Sequence, residues 1–589
     1  MAIIEGAKMH RAETGRRVVR VLFVAVLLAI LVWNPPDSYG ASNYQVFAFN
    51  DLGMHCYDAE YSVFTILPPF NVLHSQVLLK GRNPQLLDDS QVSVYYRAQK
   101  DPSGSINKTS GSVKGTPKTG FWDYVQALFG LNLQVDQGIP VPPPGGPSAL
   151  MPGSKNKKQP FVGGYDPEMK WFTAAGIPIT QWDDKLRANS YPLMKVQSFK
   201  SGGGSLGFLP TVLPISDEMN CSDCHATGQN AADTAVQQKY NITGWSLSQD
   251  PVIQYKENVL ILHDARNLTT LFASKPVLCA SCHYSPALDL AGSGPPAGTI
   301  PWMSHAIHGS HGELLDNTGN PVFPRNRTTD SNPCYQCHPG IRTQCYRGAM
   351  AKEGVVCIDC HGNMLAVGGV GQPTKRCPWV DLPLCQSCHT GDALNNYDGQ
   401  LVRRTAYADS PDMATFIVPS NKRFAETLAN QGYAGKYGYK LYRNSTGHGG
   451  MACESCHGSP HAEWPTQEPN DNLAAERIQG HAGTIIECVA CHGNTLPKTL
   501  DGPHGMHNVN DKEWVDGHED FFEDTPQACQ VCHGVFGQGT VYSKAAADRT
   551  FKTEEDGTVR IPKGTQIGCA ICHENKLAGF AAAGLSDWD

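Results

Sequence analysis

Cysteine and histidine recur along this chain in one fixed arrangement. Eighteen of its 21 cysteines belong to nine Cys-x-x-Cys-His units, and only Cys56, Cys345 and Cys377 stand outside them. The cysteines of the units are Cys221, Cys224, Cys279, Cys282, Cys334, Cys337, Cys357, Cys360, Cys385, Cys388, Cys453, Cys456, Cys488, Cys491, Cys529, Cys532, Cys569 and Cys572. The histidines that close them are His225, His283, His338, His361, His389, His457, His492, His533 and His573.

This spacing has a chemical reason. Two thiols three positions apart can each form a thioether with one vinyl group of the same haem, and the next histidine can then bind the iron as proximal ligand. Composition alone gives roughly 0.03 such pentapeptides in a chain of this length. A zinc site needs a second ligand pair, a thioredoxin-like pair occurs once, and a disulfide framework does not fix histidine behind each pair. The units therefore predict nine covalently bound haem c groups, each with its iron.

Nine irons with a proximal histidine need nine further ligands to be six-coordinate. Twelve histidines remain besides His10 near the N-terminus, so bis-histidine ligation throughout is possible, and it predicts mainly low-potential haems. His305 and His308 are three apart and would share a helical face, and His504 and His507 repeat that spacing. The distal candidates are His263, His305, His308, His448, His461, His481, His504, His507 and His518, with His55, His74 and His311 as weaker candidates.

With these motifs the chain resembles the multihaem c-type cytochromes. The arrangement is similar to that of periplasmic and outer-surface cytochromes of bacteria that respire metals, and residues 301–311 resemble the His-x-x-His segments of surface decahaem cytochromes, which serve neighbouring haems. The resemblance implies electron transfer through nine haems in respiration to an extracytoplasmic or extracellular acceptor. It implies other redox proteins or cytochromes as partners, and an extracellular metal oxide or humic substance as a possible acceptor.

Two alternatives stay open. A multihaem oxidoreductase of the nitrite or hydroxylamine type needs one haem with an open distal position, and some such enzymes carry Cys-x-x-Cys-Lys, which does not occur here. A polymeric extracellular cytochrome filament is also possible, as a homopolymer in which a histidine of one subunit binds a haem of the next. An electron carrier is favoured over an enzyme, and no catalytic residue is assigned.

The N-terminus and the charge bear on location and partners. Residues 1–40 predict a signal peptide, because a basic segment precedes the apolar run 21–33 and Pro35 and Pro36 follow it. Thirteen apolar residues fall short of the about 20 of a membrane span, so we expect cleavage after Gly40 or Ala41 and no required membrane association. The mature protein is then exported, to the periplasm or the outer surface. A net charge of −8 argues against a nucleic-acid partner.

The part of the chain after the predicted signal peptide divides into segments that would position the motifs. Residues 41–215 predict a smaller β-rich, haem-free domain, with strands over 44–50, 61–67, 72–79 and 91–99 and a short helix over 121–131. We expect haems one to five in 216–400, a connecting segment in 401–445 with a helix or hairpin over 424–431, and haems six to nine in 446–589. The predicted fold class is a multihaem cytochrome c in which short α-helices and loops, with little sheet, wrap the haems.

The three remaining cysteines allow several roles. Cys345 and Cys377 flank the fourth motif and could form a disulfide in an oxidising compartment. In the segment Asp51–Cys56, His55 or the later His74 could reach across to a haem, and Cys56 could be a free thiol or an iron ligand. The segment could also be an ordinary loop of a small β domain.

Overall fold

The computed structural model describes residues 43–140, 146–288, 300–325, 332–370, 442–493, 496, 498–534, 536–553 and 557–573. The predicted signal peptide, the fifth motif with Cys385, Cys388 and His389, the helix expected over 424–431, and Cys377 lie outside these residues. The described residues from Tyr44 onward belong to one compact unit. The segment boundaries near 215, 400 and 445 therefore stay a prediction.

Most strands lie in the first third of the described chain. In order they are β1 (Tyr44–Phe49), β2 (His55–Cys56), β3 (Phe64–Thr65), β4 (Phe70–Leu79), β5 (Gln85–Leu86), β6 (Val92–Gln99), β7 (Ser112–Val113), β8 (Thr116–Pro117), β9 (Gln159–Pro160), β10 (Gly164–Asp166), β11 (Trp171–Pro178), β12 (Leu193–Lys200), β13 (Ser205–Val212), β14 (Ile215–Ser216), β15 (Val277–Leu278), β16 (Gly458–Ser459), β17 (Ala462–Glu463), β18 (Arg549–Thr553) and β19 (Gly557–Ile561).

The helices are short. They are α1 (Phe121–Phe129), α2 (Ser222–His225), α3 (Thr234–Lys239), α4 (Pro251–Asn267), α5 (Met303–Gly312), α6 (Asn332–Tyr335), α7 (Ala349–Lys352), α8 (Cys357–His361), α9 (Met364–Gly368), α10 (Cys453–His457), α11 (Pro469–Gln479), α12 (Val489–His492), α13 (Lys512–Gly517), α14 (Glu519–Asp524) and α15 (Pro526–His533). Single 3-10 turns cover Phe272–Ser274, Cys279–Ser281, Tyr442–Asn444, His448–Gly450, Pro503–Gly505, Val541–Ser543 and Cys569–Ile571.

Two antiparallel sheets form the β layer. One has the order β1-β4-β11-β10, with β5 paired to the last two residues of β4, and the other has the order β13-β12-β6-β9. The strand β6 alternates as predicted, because Val92, Val94, Tyr96 and Ala98 are buried and the residues between them are not. Buried residues of both sheets belong to one hydrophobic cluster, which the sheets therefore share.

The strand predicted over 61–67 shortens to Phe64–Thr65. Its backbone groups are bound by side chains instead of a long neighbouring strand: the Asp58 carboxylate accepts from Ile66 N and Leu67 N at 2.8 and 2.9 Å. The Lys256 ammonium donates to the Phe64 carbonyl at 3.0 Å. The predicted helix over 121–131 ends at Phe129, since Gly130 takes a left-handed conformation with φ of 66°.

The β layer is completed by residues from the far end of the chain. Ala474, Ala475 and Ile478 of α11 and Ala490 of α12 belong to the same buried cluster as the two sheets. Arg477 of α11 donates to the carbonyl of Phe208 in β13 at 3.1 Å. The sheets, α11 and the seventh motif thus share one core.

Candidate functional site

Each described motif folds as a single helical turn. The amide of the closing histidine donates to the carbonyl of the first cysteine in five of them, for example His225 to Cys221 at 3.0 Å and His492 to Cys488 at 2.9 Å. Residues three and four apart on such a turn lie on one side, so both thiols and the imidazole can face the same ligand.

The motif histidines are paired with non-motif histidines. All eight described motif imidazoles lie opposite a second imidazole, with ring centres 5.8 to 6.4 Å apart. The pairs are His225 with His311, His283 with His263, His338 with His308, His361 with His461, His457 with His504, His492 with His448, His533 with His507, and His573 with His518.

This separation suits two imidazoles that bind one metal ion from opposite sides. A metal–imidazole bond is about 2.0 Å, and a ring centre lies about 1.2 Å behind its nitrogen, so the two centres would be roughly 6.4 Å apart. Among the described residues no group of three or more His, Cys, Asp or Glu side chains is arranged to hold a metal ion. Two facing imidazoles would hold a metal ion from two sides, and a bound planar cofactor such as a porphyrin would supply its other ligands.

Hydrogen bonds orient the rings for such binding. The Nδ1 atoms of six paired histidines lie close to backbone carbonyls, which can only accept, so each Nδ1 carries the proton and Nε2 keeps its lone pair. These contacts are His283 to Pro301 at 2.9 Å, His308 to Ser304 and His311 to Ile307 at 2.7 Å, His492 to Arg82 at 3.1 Å, His518 to Val515 at 2.9 Å and His533 to Ile567 at 2.8 Å.

Burial keeps several of these rings neutral. It lowers the pKa of His225, His308, His461 and His507 to about 4. Those imidazoles are therefore uncharged at neutral pH, which is the state that binds a metal ion.

The paired histidines share one large cavity. A connected space of about 2870 Å³ is lined by the first, second, third, fourth, sixth and seventh motifs and by the six histidines opposite them. Single ligand pockets usually measure about 300–1,000 Å³. The cysteines and facing imidazoles that line this space could hold several planar, apolar groups, each with a central metal ion. Haem c is a group of this kind.

Single elements supply ligands to more than one site. Helix α5 carries both His308 and His311, which face the third and the first motif. The hairpin of β16 and β17 follows His457 of the sixth motif directly and carries His461, which faces the fourth. The Cys357 thiol of the fourth motif is the main cause that raises the pKa of the Cys334 thiol in the third motif, followed by burial. The sites are therefore direct neighbours in the fold.

The β layer positions several of these sites. The side-chain oxygen Oε1 of Gln76 in β4 accepts from Ala452 N at 2.8 Å and from the Ser455 hydroxyl at 2.9 Å, which holds the sixth motif. Strand β15, directly before Cys279, pairs in parallel with β3. The haem-free segment is thus part of the walls around the motifs.

A buried arginine fixes the hairpin that carries His461. Arg347 N and Gly348 N donate to the His461 carbonyl at 2.8 and 2.9 Å. The Arg347 guanidinium donates to the Gly53 carbonyl at 2.7 Å and to both Asp471 oxygens at 2.6 and 2.9 Å. A Cβ on Gly53, where φ is +74°, would lie 2.0 Å from the Pro460 carbonyl oxygen, so only glycine allows this approach.

The structure differs from the sequence-based ranking of distal histidines. His311, a weaker candidate, faces His225, whereas His481 faces no described motif histidine, because its Nε2 lies 3.1 Å from Glu487 and its Nδ1 3.1 Å from the Ala482 carbonyl. The weaker candidates His55 and His74 are likewise bound elsewhere. His55 Nε2 lies 2.8 Å from Asp51, and His74 stacks on Trp171 at 4.4 Å with its Nδ1 3.0 Å from the Thr173 hydroxyl.

His305 lies on α5 and stacks on Trp302 with ring centres 5.7 Å apart. The closing histidine of the fifth motif lies outside the described residues, so its partner is not placed. The spacing in α5 held a signal for His311 as well, since His305, His308 and His311 follow one another at intervals of three.

Of the three cysteines outside the motifs, Cys56 and Cys345 are described, and neither forms a disulfide with another described residue. Cys56 and Cys345 both line the large cavity, and burial raises the pKa of the Cys56 thiol to about 12. The disulfide between Cys345 and Cys377 stays a prediction, since Cys377 lies outside the described residues.

No helix of the described residues has both the length and the apolar character needed to cross a bilayer. No protein-family model, no curated protein and no solved structure matches this chain.

Proposed function

We propose that the protein is an electron-transfer cytochrome that holds nine haem c groups, most of them between two histidines. One observation carries the proposal: all eight described motif histidines face a second histidine at a distance that suits a shared iron. Bound haem c supplies one-electron chemistry between ferric and ferrous iron. The cysteines would hold each haem covalently, and the histidines would bind its iron from both sides.

Shared elements favour a conduit over separate redox centres. Helix α5 serves the first and third motifs, and the hairpin of β16 and β17 links the fourth and sixth. The residues from 503 to 507 supply His504 to the sixth motif and His507 to the eighth. Ligands that lie one helical turn or one hairpin apart keep neighbouring centres close, which electron transfer between them requires.

The paired histidines also bear on the enzymatic alternative. An oxidoreductase of the nitrite or hydroxylamine type needs a haem with one side open to substrate. Each of the eight described motif histidines faces a second imidazole, so a haem held between them would have no open side. No specific observation therefore favours an oxidoreductase over an electron carrier. For the mature protein we propose export to the periplasm or outer surface, with redox proteins, other cytochromes or an extracellular metal oxide or humic acceptor as partners.

Haem stoichiometry tests the proposal. The purified secreted protein is expected to carry the mass increment of nine haems, and the double variant Cys569→Ala/Cys572→Ala is expected to carry eight, because the last motif then forms no thioether. Intact mass spectrometry and haem absorbance after denaturation measure both values.

The matched control is the double variant Cys56→Ala/Cys345→Ala, which removes two cavity-lining thiols outside the motifs and should keep nine haems. A wild-type mass without haem increments would overturn the proposal. The same haem number in all three proteins would overturn the assignment of the last motif.

A further inference from the structure

The outward face of the sheet β13-β12-β6-β9 is cationic, although the whole chain has a net charge of −8. The four strands contain no Asp or Glu. Arg97 in β6 and Lys195 in β12 lie directly opposite each other in the antiparallel register, and neither side chain is buried. Like charges directly opposite on a sheet are destabilising, so the folded protein alone gains nothing from this pair.

A lysine-rich loop adds charge at the edge of this face. Lys155, Lys157 and Lys158 precede β9 and are all exposed. Between them, the Asn156 side chain accepts from Ala98 N at 3.0 Å and donates to the Ala98 carbonyl at 2.9 Å, which fastens the loop to the edge of β6. In the part of the chain that the structure describes, these lysines and Arg97 form no salt bridge. The Asn156 contacts therefore hold the loop that carries these lysines against the edge of the sheet.

The aromatic rings on the face are covered by cations. The Lys158 ammonium lies 3.8 Å from the centre of the Phe199 ring and 5.2 Å from that of Tyr95. The Lys195 ammonium and the Arg477 guanidinium lie 3.6 and 3.8 Å from the centre of the Phe208 ring. The rings therefore hold the cations in position, and their faces are not open for stacking on a base or for insertion into a membrane.

We propose that this cationic sheet face, formed by Arg97, Lys155, Lys157, Lys158 and Lys195 with their aromatic supports, binds an acidic polysaccharide. Cations spread over a sheet face and its edge match an extended chain whose carboxylates recur at intervals, and charge complementarity supplies the attraction. The Gln197 amide, which donates to Ser205 Oγ at 2.9 Å on the same face, offers a polar group for sugar hydroxyls. The covered rings disfavour nucleic acid, a lipid bilayer and a hydrophobic protein partner.

This inference is independent of the proposed electron transfer, because it uses no cysteine and no histidine of the motifs. It would attach an exported protein to acidic polymer outside the cell. The attachment face is built by the haem-free β layer, so the motif-bearing parts of the molecule stay available for redox partners.

The probe is polygalacturonate, with neutral dextran for comparison, and the protein is the full secreted chain. In affinity electrophoresis and titration calorimetry the wild type is expected to bind polygalacturonate but not dextran, with an affinity that falls as salt is added. The variant Lys155→Gln/Lys157→Gln/Lys158→Gln should weaken binding at least about tenfold, since three contacts to carboxylates are lost.

The matched control removes three exposed cations from the hairpin of β18 and β19 and the turn after it: Lys552→Gln/Arg560→Gln/Lys563→Gln. Its net charge equals that of the loop variant, and its affinity should stay within about twofold of the wild type. Equal loss in both variants would show only a general charge effect and would overturn the proposal. Absence of wild-type binding, or binding to anionic phospholipid vesicles in place of polygalacturonate, would overturn it as well.

Discussion

Arg347 is a fully buried arginine whose side chain joins three distant parts of the chain. It contacts Gly53 in the segment before β2, Asp471 in α11 and the ring of Tyr191, whose centre lies 4.6 Å from its guanidinium carbon. Its backbone amide also holds the carbonyl of His461. One residue thus connects the β layer, the core helix and the hairpin that carries a proposed axial ligand.

Replacing Arg347 by Met should destabilise the protein strongly. The Asp471 carboxylate would lose both guanidinium contacts, and its side chain is only 6% exposed. Leaving a buried charge without its partner lowers the free energy of unfolding by about 3–5 kcal/mol. Denaturant-induced unfolding, followed by circular dichroism, measures the change.

The control for this prediction is Arg187→Met. Arg187 also pairs with a buried carboxylate, Asp183, but Arg187 itself is 46% exposed. Without the guanidinium, Asp183 would keep its hydrogen bonds from Ser105 Oγ, Lys185 N and the amide of residue 187, so the loss should be below about 1 kcal/mol. Equal effects of the two substitutions would show that the buried network around Arg347 has no special role.

At the scale of elements, α5 and α4 show how helices bring ligands to the motifs. In α5 the ring nitrogens of His308 and His311 each donate to the carbonyl four residues earlier, so the helix itself sets the direction of both rings. In α4 the buried Lys256 binds Asp58 at 2.9 Å, and His263, two turns later, faces the second motif. Contacts within or at the start of each helix thus set the position of its histidines.

The pairing in α5 predicts a difference between two histidines. His311→Ala should leave the iron at the first motif without its second imidazole and convert one haem from low-spin to high-spin, whereas His481→Ala should change none, because His481 is bound to Glu487. Electron paramagnetic resonance of the oxidised protein counts the high-spin haems. One new high-spin haem in the His481 variant, and none in the His311 variant, would reverse the assignment.

The sequence alone was sufficient for some elements and not for others. The nine motifs and the strands β1, β4 and β6 were visible, because their spacing and alternation are local. Strands β11 and β13 were not predicted, since Trp171–Pro178 and Ser205–Val212 contain Gly and Pro and alternate poorly. Strand β12 was not predicted either, although Leu193–Lys200 does alternate. The pairing of histidines could not be read at all, because His361 and His461 meet only through the tertiary fold.

For the molecule as a whole, the consistent pairing of imidazoles predicts that most of the proposed haems have similar reduction potentials. Two histidines stabilise ferric iron more than a histidine and a methionine do, so most centres should have low potentials. A spectroelectrochemical titration is expected to reduce most of the haem absorbance at negative potentials against the standard hydrogen electrode. Uniformly positive potentials would contradict bis-histidine ligation.

The shared core of the β layer sets a condition on how the protein matures. Strands β1 to β13 are synthesised first, yet their common core also contains Ala474, Ile478 and Ala490, which lie more than 250 residues later in the sequence. The β layer therefore cannot complete its core before α11 and α12 have been made. If haem is attached as we propose, the first motifs would be enclosed by a finished β layer only after nearly the whole chain is present.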